Sequence, residues 1–235
     1  MSWTARRSYK AVAVAEEEGG FSVSLDGRPI KTPAGAPLRA PARALAEAVA
    51  AEWNAQKEKI DPRSMPLTRL LSTAIDRISP DRNRVVDQIA AYAATDLVCY
   101  HAEQPADLVR RQEEVWRGLL DWVERTHGAR LRVTRGVVPV QQDAEALLAL
   151  RAGVARYTDV ELAALASGSA ITGSLVVGLA LLAGRIDAEA AFEAAELDAS
   201  FQIERWGEDA EAAERRARLL EDIKMIERFV MLARA

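Results

Sequence analysis

Asp96, Cys99 and His101 fall within six residues and bring three kinds of metal ligand together. Zinc takes four protein ligands, or three and a water. His127 is the only other histidine and there is no second cysteine, so nothing in the D-x-x-C-x-H spacing requires a metal. The bland reading is a buried Cys99 beside Tyr100 at the end of a helix. An enzyme pocket built from Asp96, Cys99, Tyr100 and nearby carboxylates is the chemical alternative. Nucleophilic catalysis has little to draw on. The chain has no G-x-S-x-G turn, and any Ser–His or Cys–His pair must use His101 or His127. His101 is too close to Cys99 in sequence to be an obvious partner. His127 precedes Gly128, a helix C-terminus where a histidine is favoured by the helix dipole.

Gly168-Ser169-Ala170-Ile171-Thr172-Gly173-Ser174 has the glycine spacing of a phosphate loop. Such a loop needs a lysine after the second glycine and a strand before the first. Ser174 stands at the lysine position and the preceding segment reads as helix, so neither a nucleotide nor any other cofactor is expected. Gly173 and Gly178 are read as sites of close helix packing. Runs such as Glu16 to Glu18 or Glu193 and Glu196 are read as solvated faces.

Five tryptophans stand out among little other aromatic content: Trp3, Trp53, Trp116, Trp122 and Trp206. Trp116 and Trp122 are expected in the core. Trp53 and Trp206 sit near helix ends among charged neighbours. Tryptophan is enriched both at interface hot spots and in cores.

The elements that position these groups follow from periodicity. Residues 8–40 alternate as short strands, with a hairpin turning at Glu16 to Gly20 and a second turn at Asp26-Gly27. From Pro41 the period becomes helical, with Leu45, Val49, Glu52 and Trp53 on one face. Pro62 and Pro66 break that helix. Further helices are expected at 67–78, from Ser79-Pro80-Asp81 to about Asp96, at 105–127, and near 142–156, 159–167, 172–184, 188–205 and 208–232. The 105–127 helix is expected to bury Leu108, Gln112, Val115, Leu119 and Trp122. Leu131 to Val140 reads as an extended connector. The class is α+β: a β-rich N-terminal domain with one helix at 1–62, then a larger all-helical domain at 63–235.

Composition narrows the function. With 49% hydrophobic and 28% charged residues, the chain has the make-up of a folded globule. The net charge of −4 argues against a nucleic-acid partner. The apolar run from Ala163 to Gly184 has an unbroken core, Leu175 to Ala183, too short to span a bilayer. A lone cysteine fits a reducing compartment. Met1 to Lys10 lacks the apolar stretch of a secretory signal.

Several segments, in order, carry a resemblance. They are Gly27-Arg28-Pro29-Ile30-Lys31-Thr32-Pro33, Ala51-Glu52-Trp53-Asn54-Ala55-Gln56, Met65-Pro66-Leu67-Thr68, Thr95-Asp96-Leu97-Val98-Cys99-Tyr100-His101 and Phe201-Gln202-Ile203-Glu204-Arg205-Trp206-Gly207. Together they resemble the ATP synthase assembly-factor family that chaperones the alpha subunit of the catalytic sector. The resemblance implies a chaperone without catalytic residues, with a β part followed by helices. Its implied partner is the free alpha subunit, held until the beta subunit replaces it. No long N-terminal extension precedes the matching segments, so a bacterial cytoplasm is expected, with a chain that is monomeric when free. An adaptor for another client is the remaining alternative. Client contacts are expected at Trp53 and along Glu196, Asp198, Phe201, Gln202, Glu204, Trp206 and Glu208. Helical spacing places Asp198, Gln202 and Arg205 near one face, with Phe201 and Trp206 at its border.

Overall fold

A computed structural model describes residues 6–136 and 138–235. Residues 1–5, Trp3 among them, lie outside the described residues. The chain is 64% helical and 10% strand, a small β part followed by helices. Its contacts group into two compact units.

The first unit comprises the described residues up to Arg82 with 158–164 and 228–235. Strands β1 (Val12–Glu17) and β2 (Gly20–Leu25) form the expected antiparallel hairpin, with Val14 opposite Val23. Asp26 and Gly27 both take positive φ and turn the chain into β3 (Arg28–Pro29), which pairs with β2. The Asp26 carboxylate accepts from the amides of Lys10 and Ala11 and so ties this turn to the start of β1. Strand β4 (Arg39–Ala40) also pairs with β2. Gly20 is needed where it is: its φ is +138° and a Cβ there would collide with the Ala40 carbonyl.

A sheet this small needs a cover. Helix α1 (Arg43–Asn54) supplies it, packing on β1 and β2 with Leu45, Ala46 and Val49 buried. The prolines do break the chain, and α2 (Pro66–Thr73) then returns to α1. The Glu52 carboxylate accepts from the amides of Leu67 and Thr68 and from the Thr68 hydroxyl, at 2.6–2.8 Å. One side chain of α1 thereby satisfies the open amides at the start of α2. Asp76, in a wide helical turn at Ala74–Ile78, accepts from Thr32 Oγ1 at 2.6 Å and the Ala34 amide at 3.0 Å. Contacts keep residues 62–82 with the first unit, which also takes in 158–164 and 228–235.

The second unit comprises 83–157 and 165–227. It holds most of α3 (Arg82–Ala90), short 3-10 turns through Cys99, β5 (Tyr100–His101) and α4 (Ala106–His127). Gly128, with φ of 69°, ends α4 as the sequence suggests. Strand β6 (Thr134–Arg135) pairs in parallel with β5 inside the expected connector, of which Val137 lies outside the described residues. Then come α5 (Ala144–Val154), α6 (Asp159–Thr172), α7 (Leu175–Leu182), α8 (Ala188–Ala195), α9 (Leu197–Trp206) and α10 (Ala210–Arg234). Helices α6 and α10 contribute to both units. Helix α4 packs against α5, α7, α9 and β5. Every residue of α7 is buried. No helix among the described residues is long and apolar enough to cross a membrane.

Two helices differ from the expected pattern. The α4 core stripe is Gln112, Trp116, Leu119 and Val123, rotated from the expected one, and Val115 is exposed. The expected 188–205 helix is two helices hinged at Glu196, where φ/ψ is −104°/18°. Helix propensity runs evenly through Ala194 to Leu197, so no local signal marks the hinge.

Candidate functional site

Helix α9 begins at the hinge. Asp187 caps α8 by accepting from the Ala190 amide at 2.8 Å. At the far end of α8, the Glu196 carboxylate receives Arg216 at 2.7 Å and Arg215 at 3.4 Å, both from α10. Glu208 also receives Arg216, at 3.1 Å. Two of the expected client-contact acids thus hold the two ends of α9 to α10. Leu197 and Phe201 are the buried residues of α9. Gly207, with positive φ, stops it directly after Trp206.

The seam between α9 and α4 is polar around one ring. Phe201 is buried, with the guanidinium of Arg205 4.3 Å and that of Arg111 5.4 Å from its ring centroid. Arg205 pairs with Asp107, and Arg111 pairs with Glu204 at 2.7 Å. The hydrogen bond from Arg111 holds the Glu204 carboxyl below its ordinary range. The Gln112 amide donates to Asp198 Oδ1 at 2.7 Å. Gln202 is exposed, and Trp206 is 77% exposed, an unusual state for the largest apolar side chain.

The structure therefore gathers Glu196, Asp198, Phe201, Gln202, Glu204, Trp206 and Glu208 on one helix and its flanks, and sorts them differently from the expected face. Phe201 is core. Trp206 projects. Trp53 belongs to the first unit, half-buried, with its ring 6.0 Å from that of Tyr9 and its carbonyl accepting from the Tyr9 hydroxyl at 2.7 Å. Arg111 and Asp107 were not legible as site residues, because i,i+4 charges on a long amphipathic helix look alike until a second helix selects some of them.

The Asp96–His101 segment is differently committed. Asp96 and Cys99 are both 0% exposed. Asp96 accepts from Ser174 Oγ at 2.5 Å and the Val176 amide at 3.0 Å, and Ser174 Oγ in turn accepts from the Val177 amide. These bonds at the N-terminus of α7 oppose burial, which nonetheless pushes the Asp96 carboxyl up to about 6. Burial, then the neighbouring Asp96, pushes the Cys99 thiol up to about 12. A thiol so placed is inert as a nucleophile. His101 Nε2 lies 3.2 Å from the Val98 carbonyl and its ring packs on Trp116. No group of three His, Cys, Asp or Glu side chains among the described residues could hold a metal ion. The glycine segment is the end of α6 and the cap of α7. Gly178, not Gly173, makes the close helix contact, against Ser169 and Leu165, whereas Gly173 turns the chain with φ of 68°.

Residues 6–124 match the family model of the ATP12 chaperone protein. The chain belongs to the ATP12 chaperone family, a family of ATP synthase assembly factors. It is 45% identical to Atp12 from Paracoccus denitrificans, with a TM-score of 0.92 over 97% of this chain and 98% of that one. A variant of the Paracoccus protein carrying an Asp-to-Lys substitution superposes with a TM-score of 0.93 at 45% identity, covering 99% and 100% of the two chains. The mitochondrial Atp12 of Schizosaccharomyces pombe is 27% identical over 220 residues, which are 87% of this chain and 75% of that protein.

Proposed function

We propose that this ATP12-family chain binds the free alpha subunit of the ATP synthase catalytic sector and covers the surface that alpha later offers to beta. Family membership supports the assembly role. The observation that carries the binding reading is Trp206, 77% exposed at the end of a helix otherwise fixed by Phe201 and by ion pairs. An exposed tryptophan on a rigid helix is ready to fill a partner's pocket, with little side-chain entropy left to lose. An unassembled alpha subunit exposes apolar surface that favours aggregation. A shield over that surface needs no hydrolytic step, since beta displaces it if the final interface is the tighter one. The burial of Asp96 and Cys99 speaks against an enzyme pocket at Tyr100. The 45% identity to a bacterial relative supports work in a bacterial cytoplasm.

The test is co-expression with alpha alone, with beta alone, and with both. Alpha should co-purify with the chain and remain soluble, and added beta should release it. Recovery of beta instead, or an equal yield of soluble alpha without the chain, contradicts the reading.

A further inference from the structure

Helix α4 and the connector that follows it enclose a cleft of about 260 Å³ in the second unit. Small-molecule sites usually measure about 300–1,000 Å³, so this one suits a few side chains rather than a cofactor. Arg135, in β6, pairs with Glu113 at 3.0 Å and bridges one end. Arg130 stands 4.0 Å from Glu124 at the other. Glu113 and Glu124 are about 16 Å apart along α4. Between them Leu120, Leu131 and Val133 give the cleft an apolar lining, and Val133 is 43% exposed.

Two charges of this cleft are not taken up by the end bridges. Arg117 and Asp121 line it from α4, both exposed, and among the described residues neither makes an ion pair or a side-chain hydrogen bond. They stand one helical turn apart in the order base then acid. That order is the weaker one for an i,i+4 pair, because it works against the helix dipole. The acid-first pair Glu214 and Arg218 closes to 2.8 Å, and the base-first pair Arg110 and Glu114 only to 3.8 Å. Arg117 and Asp121 therefore present two separate charges with Cβ atoms about 6 Å apart. An extended chain sets residues i and i+2 on one side about 6.7 Å apart, and turns the residue between them to the other side. Across the cleft from α4, that other side is the connector, with Leu131 and Val133. A uniformly acidic segment would meet Asp121, and a uniformly basic one Arg117, with like charge.

We propose that this cleft receives an extended segment of the alpha subunit in which an apolar residue stands between an acid and a base. The acid pairs with Arg117, the base with Asp121, and the apolar side chain packs on Leu131 and Val133. This rests on the reading of the alpha subunit as the client, and the experiment separates the two.

Exchanging the charges, Arg117→Asp with Asp121→Arg, keeps the net charge and creates the acid-first order. The new pair should close on itself, so melting should stay equal or rise slightly while both charges are lost to the client. Arg117→Gln with Asp121→Asn removes the charges outright, and Val133→Ser removes the apolar contact. Each chain is co-expressed with the alpha subunit. Recovered alpha is measured per folded chain at low and raised salt, with melting curves and sedimentation of the free chains. The exchanged and the neutral double variants should each lower recovery about tenfold, and Val133→Ser about fivefold. Raised salt should weaken wild-type recovery and change the neutral variant little. Full recovery by the neutral variant, with alpha still bound by the wild type, overturns the cleft assignment and leaves the client reading standing. Full recovery by Val133→Ser overturns the apolar contact. Wild-type self-association that the exchange abolishes gives the cleft to a second copy of this chain and overturns the proposal. Failure of the wild type to recover alpha overturns the client reading and the proposal with it. If the exchanged chain melts early, the neutral variant carries the test.

Discussion

Asp96 and Ser174 lie 78 residues apart in the chain and meet through a 2.5 Å hydrogen bond at the N-terminus of α7. The same hydroxyl accepts from the Val177 amide, so it links a buried acid to a helix cap. Leu97 N donates to the Gly173 carbonyl beside it, which makes the junction a two-sided clasp inside the second unit.

Asp96 gives the fold a measurable pH dependence. Its folded pKa of about 6 lies above the ordinary 3.8, because burial disfavours the charged form. A raised carboxyl binds protons better in the native state. Its contribution is therefore fully present below about pH 4 and is lost as pH rises through about 6. A two-unit shift corresponds to about 3 kcal/mol. Urea unfolding of the wild type should show this contribution being lost between about pH 4 and 6, with the slope levelling above that, and Asp96→Asn should flatten the slope. An equal slope in both chains contradicts the assignment. Ser174→Ala should cost about 2–3 kcal/mol at neutral pH, from a lost cap and a lost donor to a buried charge.

Gly178 and Ser169 form a close helix contact in the second unit. A Cβ on Gly178 would stand 2.9 Å from Ser169 Oγ and 3.2 Å from Leu165 Cδ1. Gly178→Ala should destabilise by about 1–3 kcal/mol through overpacking. Ser169 Oγ is buried without a partner among the described residues, so Ser169→Ala should be neutral or stabilising. The double variant should recover part of the loss, and strict additivity of the melting shifts contradicts direct coupling.

Trp206→Ala should leave melting unchanged, since the side chain is already in water. Recovery of the alpha subunit should fall about tenfold or more if the ring is a hot spot. Unaltered recovery moves the anchor away from the end of α9.

Trp53 tests the first unit separately. Its Nε1 is buried without a partner among the described residues, and its ring packs beside Tyr9. Trp53→Phe should cost about 1 kcal/mol or less, because a lost unpaired donor offsets lost area. Trp53→Arg should cost about 2–4 kcal/mol by placing a charge in that half-buried site. Equal melting temperatures for the two variants would show that the site is effectively solvated.

The sequence by itself determined the elements whose signals are local. Val14 and Val23 alternate with polar neighbours, Asp26-Gly27 turns the chain, and Gly128 ends α4, because period and positive φ are written in adjacent residues. It also determined the family, through ordered segments from Gly27 to Gly207, and the absence of a phosphate-reaching lysine after Gly173. Tertiary structure alone decided which polar groups are partners. Glu52 reads as one more exposed helix acid until α2 brings two amides to it. Glu196 reads as one more helix acid until α10 brings Arg215 and Arg216 to its carboxylate. Phe201 and Trp206 are both aromatic residues of one short helix, yet α4 covers one and leaves the other in water. Helical spacing fixes the angle between two side chains on a cylinder, and the neighbouring helix decides which angle faces the core.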